Sequence, residues 1–374
     1  MNKKVVAIVC GTRPEIIKLA PVYHALRALP ELHVVWVHTG QHAEMAADML
    51  RCFGITPHAQ LERSGASLEA FSVECRARLD ALVARQHWDL CIVQGDTESA
   101  FLGALSSFYR RVPVAHVEAG LRTYNLARPF PEEGLRQMIS RIASMHWAPT
   151  ERAREALLRE GIPPEAILRT GNTVVDAQQW ICRRHGIVRE GRPADGHILV
   201  TAHRRENWGE EMEQTFHAVA DLARLHADKR VLFPVHLNPV VHKPAHAILH
   251  GLDNVTLTAP LDYLGMQRAL VGACLLLTDS GGLQEEAPTF GVPTLVLRHE
   301  TERPEAVEAG CARLVGPNRD AIVREASRLL DDPLAAERMR KVVNPFGDGQ
   351  AARRIAQAVM ARLVPSQEAA ALAA

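Results

Sequence analysis

The sequence predicts an α/β protein built from two doubly wound, Rossmann-like domains that face one another across a cleft. Three observations carry this expectation. Short apolar runs alternate with helical patterns along almost the whole 374-residue chain, as parallel sheets with helices on both faces require. The composition breaks once, at GIVREGRPADG over 186–196, which reads as a linker between two such alternations. The strands of both halves end in polar turns, and open parallel sheets bind ligands beyond those carboxyl ends.

Residues 4–9 read as the first strand, and 14–26 as a helix with Pro14 in its first turn. Further strands fall at 33–38, 90–94 and 114–118, with crossover helices at 68–85 and 99–109. Helices at 132–144, 150–160 and 173–183 complete an N-terminal domain over 1–185. After the linker come a strand at 197–201, a helix near 210–225, a strand at 230–234 and a helix near 240–249. A strand at 255–257, a helix ending at Gly272, a strand at 273–278, a helix at 283–290 and a strand at 294–297 follow. With a helix at 319–330 they make a nucleotide-binding domain over 197–345. A closing helix at 350–363, within a segment 346–366, is expected to pack back on the N-terminal domain. Residues 369–374, AAALAA, read as a frayed tail.

Lys and Arg total 43, as do Asp and Glu, and no long run of one sign occurs. This argues against nucleic acid or an anionic membrane surface as the main partner. No apolar segment reaches the roughly 18 residues a membrane helix needs. The opening MNKKVVAIVCG reads as a first strand and not as a signal sequence. Seven cysteines lie scattered without a C-x-x-C pair, and Cys10, Cys91 and Cys274 sit in apolar runs. Reduced core thiols in a cytoplasmic protein are expected. No H-E-x-x-H supports a metal site. The first strand runs into GTRPE, not G-x-G-x-x-G, so a nicotinamide site is not expected. A loose match at Gly347–Ala352 follows no strand, and no Walker-type phosphate loop occurs.

The segment 275–288, LLLTDSGGLQEEAP, is a strand, a tight turn and a helix start. Free N–H groups there suit an anion, and Gly281 and Gly282 allow a phosphate close to the backbone. Glu285 and Glu286, one turn on, suit sugar hydroxyls. The plain alternative is that Ser280 caps the helix and the glutamates favour its positive end. Other strand ends bring Arg13 and Lys18, then Asp96, then Glu118, followed by a Pro-rich loop to Glu132, Glu133 and Arg136. In the second half they bring His203-Arg204-Arg205, His236 and, farther on, Arg303. Singly, each has a plain reading as a cap, a solvated face or a dipole partner. Together, Arg13, Lys18, His203 and Arg303 suit a pyrophosphate, and Asp96, Glu118 and Glu132 suit proton transfer at an uncharged ring.

From Gly11 to about Ala356 the chain resembles the non-hydrolysing UDP-N-acetylglucosamine 2-epimerases. The resemblance rests on GTRPEIIKLAP, VQGDTES, HVEAGLRTYN, PFPEEGLRQ, TGNTVVDA, TAHRREN, PVHLNPVV, LTDSGGLQEEAP, ERPEAVEAG and NPFGDGQA. It implies a glycosyltransferase-B type architecture and the interconversion of UDP-GlcNAc and UDP-ManNAc without a cofactor, through elimination of UDP to 2-acetamidoglucal and re-addition. By motif it implies catalytic roles for Asp96, Glu118, Glu132 and His203. It implies substrate contacts for Arg13, Lys18, Arg136, Ser280, Gly281, Gly282, Glu286 and Arg303. A homodimer serving cell-envelope polysaccharide synthesis is also implied, the pathway being left open.

Gln41, Glu133, Arg205 and His236 match positions at which many bacterial members bind a second UDP-GlcNAc as an activator. Ala43 replaces a usual arginine there, Glu44 stands where some members have glutamine, and Arg63 is the nearest substitute. Met266 stands where some members have phenylalanine near the uracil. Competing readings are a hydrolysing 2-epimerase releasing ManNAc and UDP, a glycosyltransferase of the same architecture, and a silent nucleotide-sugar sensor.

Overall fold

A computed structural model describes residues 3–63 and 67–364, without the side chains of 43–45. The expected tail at 369–374 lies outside the described residues. The chain divides into two compact units, Met1–Trp180 with Gly347–Ala374, and Ile181–Phe346. Each is a parallel sheet covered by helices on both faces.

The first unit begins with β1 (Lys4–Cys10), α1 (Arg13–Arg27), β2 (Leu32–His38), α2 (Ala43–Cys52) and β3 (Ala59–Gln60). It continues through α3 (Leu68–Arg85), β4 (Leu90–Gln94), α4 (Glu98–Tyr109) and β5 (Val114–Val117). Then come α5 (Glu132–Ile142), β6 (Met145–Ala148), α6 (Glu151–Arg159), β7 (Ile167–Arg169) and α7 (Thr173–His185). The strand order is β3-β2-β1-β4-β5-β6-β7, all parallel. Every residue of β4 and β5 is buried, which is why such strands are continuous apolar runs and not alternations. Val9, Val37 and Val93 pack under Phe71 and Leu79 of α3 and Leu102 of α4.

The second unit contains β8 (His197–Thr201), α8 (Glu210–Leu225), β9 (Val231–Pro234), α9 (Pro239–Leu249), β10 (Val255–Thr258) and α10 (Tyr263–Val271). It goes on with β11 (Ala273–Thr278), α11 (Gly281–Glu286), β12 (Thr294–Val296), α12 (Pro304–Glu308), β13 (Ala312–Leu314), α13 (Arg319–Asp331) and α14 (Pro333–Arg340). Its strand order, β10-β9-β8-β11-β12-β13, is that of a doubly wound nucleotide-binding sheet. One face packs Phe216, Val219 and Leu222 of α8 on Phe233 and Val200; the other packs Leu270 and Leu283 on Leu199 and Leu276.

The chain passes from the first unit to the second inside α7, between Trp180 and Ile181, and returns at Gly347. It closes with α15 (Ala351–Leu363), which packs on α1 of the first unit. Asp176 accepts hydrogen bonds from Ala351 N and Ala352 N, at 3.2 and 2.9 Å, at the free N-terminal donors of α15. The sequence pattern omits β3, β6, β7 and β13, of two to four residues each, and the helices α2, α12 and α14. These strands are too short to show a period.

Candidate active site

In the first unit the polar groups gather where β1, β4 and β5 end. Gly11 follows β1, and a Cβ there would lie 2.0 Å from Thr39 Oγ1 and 2.1 Å from Ser99 Oγ, so only glycine fits. Thr12 precedes α1, and Glu15 at the third helical position turns its carboxylate back to accept Gly11 N–H at 3.0 Å and Thr12 N–H at 2.8 Å. Thr97 Oγ1–H donates to the other carboxylate oxygen at 2.7 Å. Glu15 is 1% exposed, and burial pushes its carboxyl up to about 7 against the pull of these donors. Arg13 is half-buried at the start of the same helix.

One turn on, Lys18 Nζ pairs with Glu118 Oε2, which also accepts Gln94 Nε2–H at 3.0 Å. Glu118 holds a φ of 63°, a left-handed conformation that a non-glycine residue adopts at a cost of about 1–3 kcal/mol. The strained turn brings the carboxylate that follows β5 to the lysine on α1. Gly95 O, beside Asp96, accepts from His116 Nε2 at 2.7 Å. Burial pushes that histidine down to about 3, so it is a neutral, fixed donor. Asp96 Oδ2 in turn pairs with Arg136 Nη2 at 2.6 Å.

Asp96 and Glu132 line one cavity of about 220 Å³, with Thr12, Gln41, Thr97 and Pro131 also in its wall. Glu118 follows β5, the neighbour of β4, and Lys18 lies in the second turn of α1. Gln41 Oε1 accepts Ser99 N–H at 3.1 Å, and the backbone carbonyl oxygen of Gln41 accepts from Arg63 Nη1 at 2.8 Å. Glu133 is placed differently: it is 0% exposed and accepts Thr123 N–H, Tyr124 N–H and Gln137 Nε2–H within 3.0 Å. Burial raises its carboxyl, but these donors and Arg136 outweigh that and hold it below the usual range. It serves as the internal tie of the loop before α5.

In the second unit the ends of β8, β9, β11 and β12 carry the expected residues. Asp279, fully buried after β11, accepts His203 N–H and Arg204 N–H on one oxygen, each at 2.7 Å. Its other oxygen lies 3.1 Å from His203 Nδ1. The His203 ring stacks against that of His236, with centroids 6.2 Å apart and planes 14° apart. Ser280 accepts Leu283 N–H at the start of α11, as a cap should. Neither Gly281 nor Gly282 has a positive φ, and a Cβ would meet only Arg204 Nη2 at 3.6 Å or Ser280 Oγ at 3.9 Å. The fold itself leaves that side of the turn open.

The two neighbouring glutamates of α11 part company. Glu285 pairs with Arg303 Nε, while Glu286 accepts Gln267 Nε2–H at 2.7 Å. Arg205 is exposed, its guanidinium 5.9 Å from the Trp208 ring centre, and Met266 packs at the edge of an apolar cluster. Sequence reasoning did not single out Glu15, His116 or Asp279 as site residues, nor the Glu285–Arg303 pair. The Thr12-x-x-Glu15 spacing was a readable capping signal; the other three depend on contacts between distant segments.

Among the described residues no helix is long and apolar enough to cross a membrane, and no group of three or more His, Cys, Asp or Glu could hold a metal ion. A family model described as UDP-N-acetylglucosamine 2-epimerase matches residues 24–360. The chain is 42% identical over 369 residues to the UDP-N-acetylglucosamine 2-epimerase of Escherichia coli strain K12, covering 95% of this chain and 98% of that one. It is similar to the UDP-GlcNAc 2-epimerase of Neisseria meningitidis solved bound to UDP-GlcNAc, with a TM-score of 0.84 and 36% identity over 96% of this chain and 99% of that one. It is also similar to the Methanocaldococcus jannaschii UDP-GlcNAc 2-epimerase solved with UDP-GlcNAc and UDP. There the TM-score is 0.76 and the identity 31%, over 96% of this chain and 99% of that one.

Proposed function

The chain belongs to the UDP-N-acetylglucosamine 2-epimerase family, and from that premise we propose that it interconverts UDP-GlcNAc and UDP-ManNAc without hydrolysis, as a cytoplasmic homodimer. The C1–O bond breaks with its electron pair going to the β-phosphate, and the C2 proton goes to a carboxylate, leaving 2-acetamidoglucal. UDP then adds back as a proton returns to the opposite face of C2.

The C2 hydrogen is not adjacent to a carbonyl, so a base alone acts too slowly and departure of UDP must lead. Positive charge then grows on the ring and negative charge on the β-phosphate. In this reading Asp96, Glu118 and Glu132 serve the ring, with Arg136 setting Asp96. Arg13, Lys18, His203, Arg303 and the Ser280–Gly282 turn serve the diphosphate, and Glu286 the ribose. Preorganised donors of that kind are each worth about 2.7–4 kcal/mol of barrier.

The observation that supports the reading best is the cavity that Asp96 and Glu132 line together. The test is UDP-GlcNAc in D2O with the purified protein and no added metal or nicotinamide, followed by mass spectrometry and proton NMR. UDP-ManNAc carrying deuterium at C2 is the expected product. Free ManNAc would indicate the hydrolysing reaction, no change a transferase or a silent binder, and unlabelled UDP-ManNAc would contradict elimination.

A further inference from the structure

Asp279 has no part in the chemistry set out above, yet its carboxylate is turned to the backbone of His203 and Arg204 and to the His203 ring. Its side chain is fully buried while that of His203 is 41% exposed. One oxygen holds the backbone of His203 and Arg204 through two 2.7 Å hydrogen bonds, and the other lies 3.1 Å from Nδ1 of the ring. Both the base and the near edge of the imidazole are therefore fixed by one buried group. Burial raises the carboxyl, but the ring and the two N–H groups outweigh it and hold it below the usual range, so it is ionised at neutral pH.

Oδ1 is buried with no other hydrogen-bond partner and faces Nδ1 at 3.1 Å. An ionised carboxylate only accepts hydrogen bonds, so it favours the ring form that carries its hydrogen on Nδ1. A neutral imidazole has one N–H, which leaves Nε2 bare; Nε2 gains a hydrogen only when the ring is cationic. We propose that Asp279 is a positioning residue for His203: it fixes the Nδ1–H form and leaves Nε2 as the nitrogen that meets the departing phosphate. The ring then acts on the diphosphate as a cation, donating from Nε2 to the oxygen that receives the C1–O electron pair. This rests on the reading of His203 as a diphosphate residue. The stacked ring of His236 limits swinging of His203 from its flat side.

Asp279→Asn separates this role from a structural one. Its amide oxygen can still accept both backbone N–H groups, while its NH2 donates to Nδ1 and drives the ring hydrogen to Nε2. Long-range spectra of protein labelled with [15N]histidine, recorded about two pH units above the ordinary histidine value, report the tautomer. The His203 signals are assigned by their loss in His203→Gln. The expected result is Nδ1–H in the parent and Nε2–H in Asp279→Asn. With it, kcat falls about 10²-fold or more while KM for UDP-GlcNAc changes little, because an amide NH2 at Nδ1 excludes the cationic ring and leaves only a weaker, neutral Nε2–H donor. A parent enzyme with the hydrogen on Nε2, or a variant with undiminished kcat, overturns the proposal. A parent enzyme that does not turn over UDP-GlcNAc refutes the epimerase reading instead, and the tautomer of the parent still decides the role of Asp279.

Discussion

Arg136 Nη2 lies 2.6 Å from Asp96 Oδ2, tying the second turn of α5 to the loop after β4. The arginine side chain is 9% exposed and the aspartate 28%, so the pair is partly shielded and the aspartate still reaches solvent. Under the proposed function, a carboxylate so held is oriented for proton transfer. Asp96→Asn is expected to keep UDP affinity, measured by calorimetry, and to lower turnover by about 10²–10⁴-fold. Lost affinity with normal turnover per bound enzyme would make Asp96 a structural residue.

Arg136→Ala acts on stability as well. It removes the 3.6 Å approach of Nη1 to Glu133, which is fully buried. Glu133 keeps its hydrogen bonds from Thr123, Tyr124 and Gln137, so the loss is smaller than for an unpartnered buried charge. Denaturant unfolding should show a decrease of about 1–3 kcal/mol. An unchanged midpoint would mean that water replaces the guanidinium without loss.

Gly281→Ala and Gly282→Ala test whether the turn after β11 is shaped for a ligand. Neither position needs a glycine φ, and neither Cβ would meet an atom closer than 3.6 Å. In the free protein the substitutions should be neutral or stabilising, by up to about 1 kcal/mol. If a diphosphate approaches the backbone here, UDP affinity should nonetheless fall by about tenfold or more, a loss of at least 1.4 kcal/mol. Melting curves and calorimetric titration read the two effects separately, and unaltered UDP affinity counts against the phosphate role.

Glu15 should leave a signature in stability against pH. Its carboxyl lies at about 7 in the folded chain and 4.5 in the reference state, so between those values the folded state binds more protons. Its contribution is therefore fully present below about 4.5 and is lost as pH rises to 7, a change of about 3 kcal/mol. Glu15→Gln removes this dependence, so its stability relative to the parent should improve by that amount between pH 4.5 and 7. The buried His38, His116 and His146, pushed down by burial to about 4, 3 and 4, act in the opposite sense and weaken the fold as pH falls below 6.5. They are common to both proteins and cancel in the difference. A flat difference would show that Glu15 titrates normally.

The alternation of buried strands and helices was legible because parallel strands covered on both faces must be continuous apolar runs, as β4 and β11 are. The edge strands β3 and β13 were not legible, being two or three residues long with partly exposed faces. The positions of Asp96 after β4, Glu132 at the start of α5 and His203 after β8 were legible too. What adjacency in sequence could not tell was which of two neighbouring glutamates faces which partner. Only the folded α11 turns Glu285 to Arg303 and Glu286 to Gln267. Likewise Lys18 and Glu118 lie 100 residues apart, and nothing local to either announces the other.

The separation of 175 positions between Asp176 and Ala351, and the docking of α15 on α1, bear on how the polypeptide matures. A ribosome delivers the helix that completes the first unit only after the entire second unit has been made. The second unit is thus an insertion free to fold by itself as it emerges, since domains generally fold as units. The unit begun earlier waits with its α1 surface uncovered. In vectorial synthesis, order of appearance and order of completion are reversed.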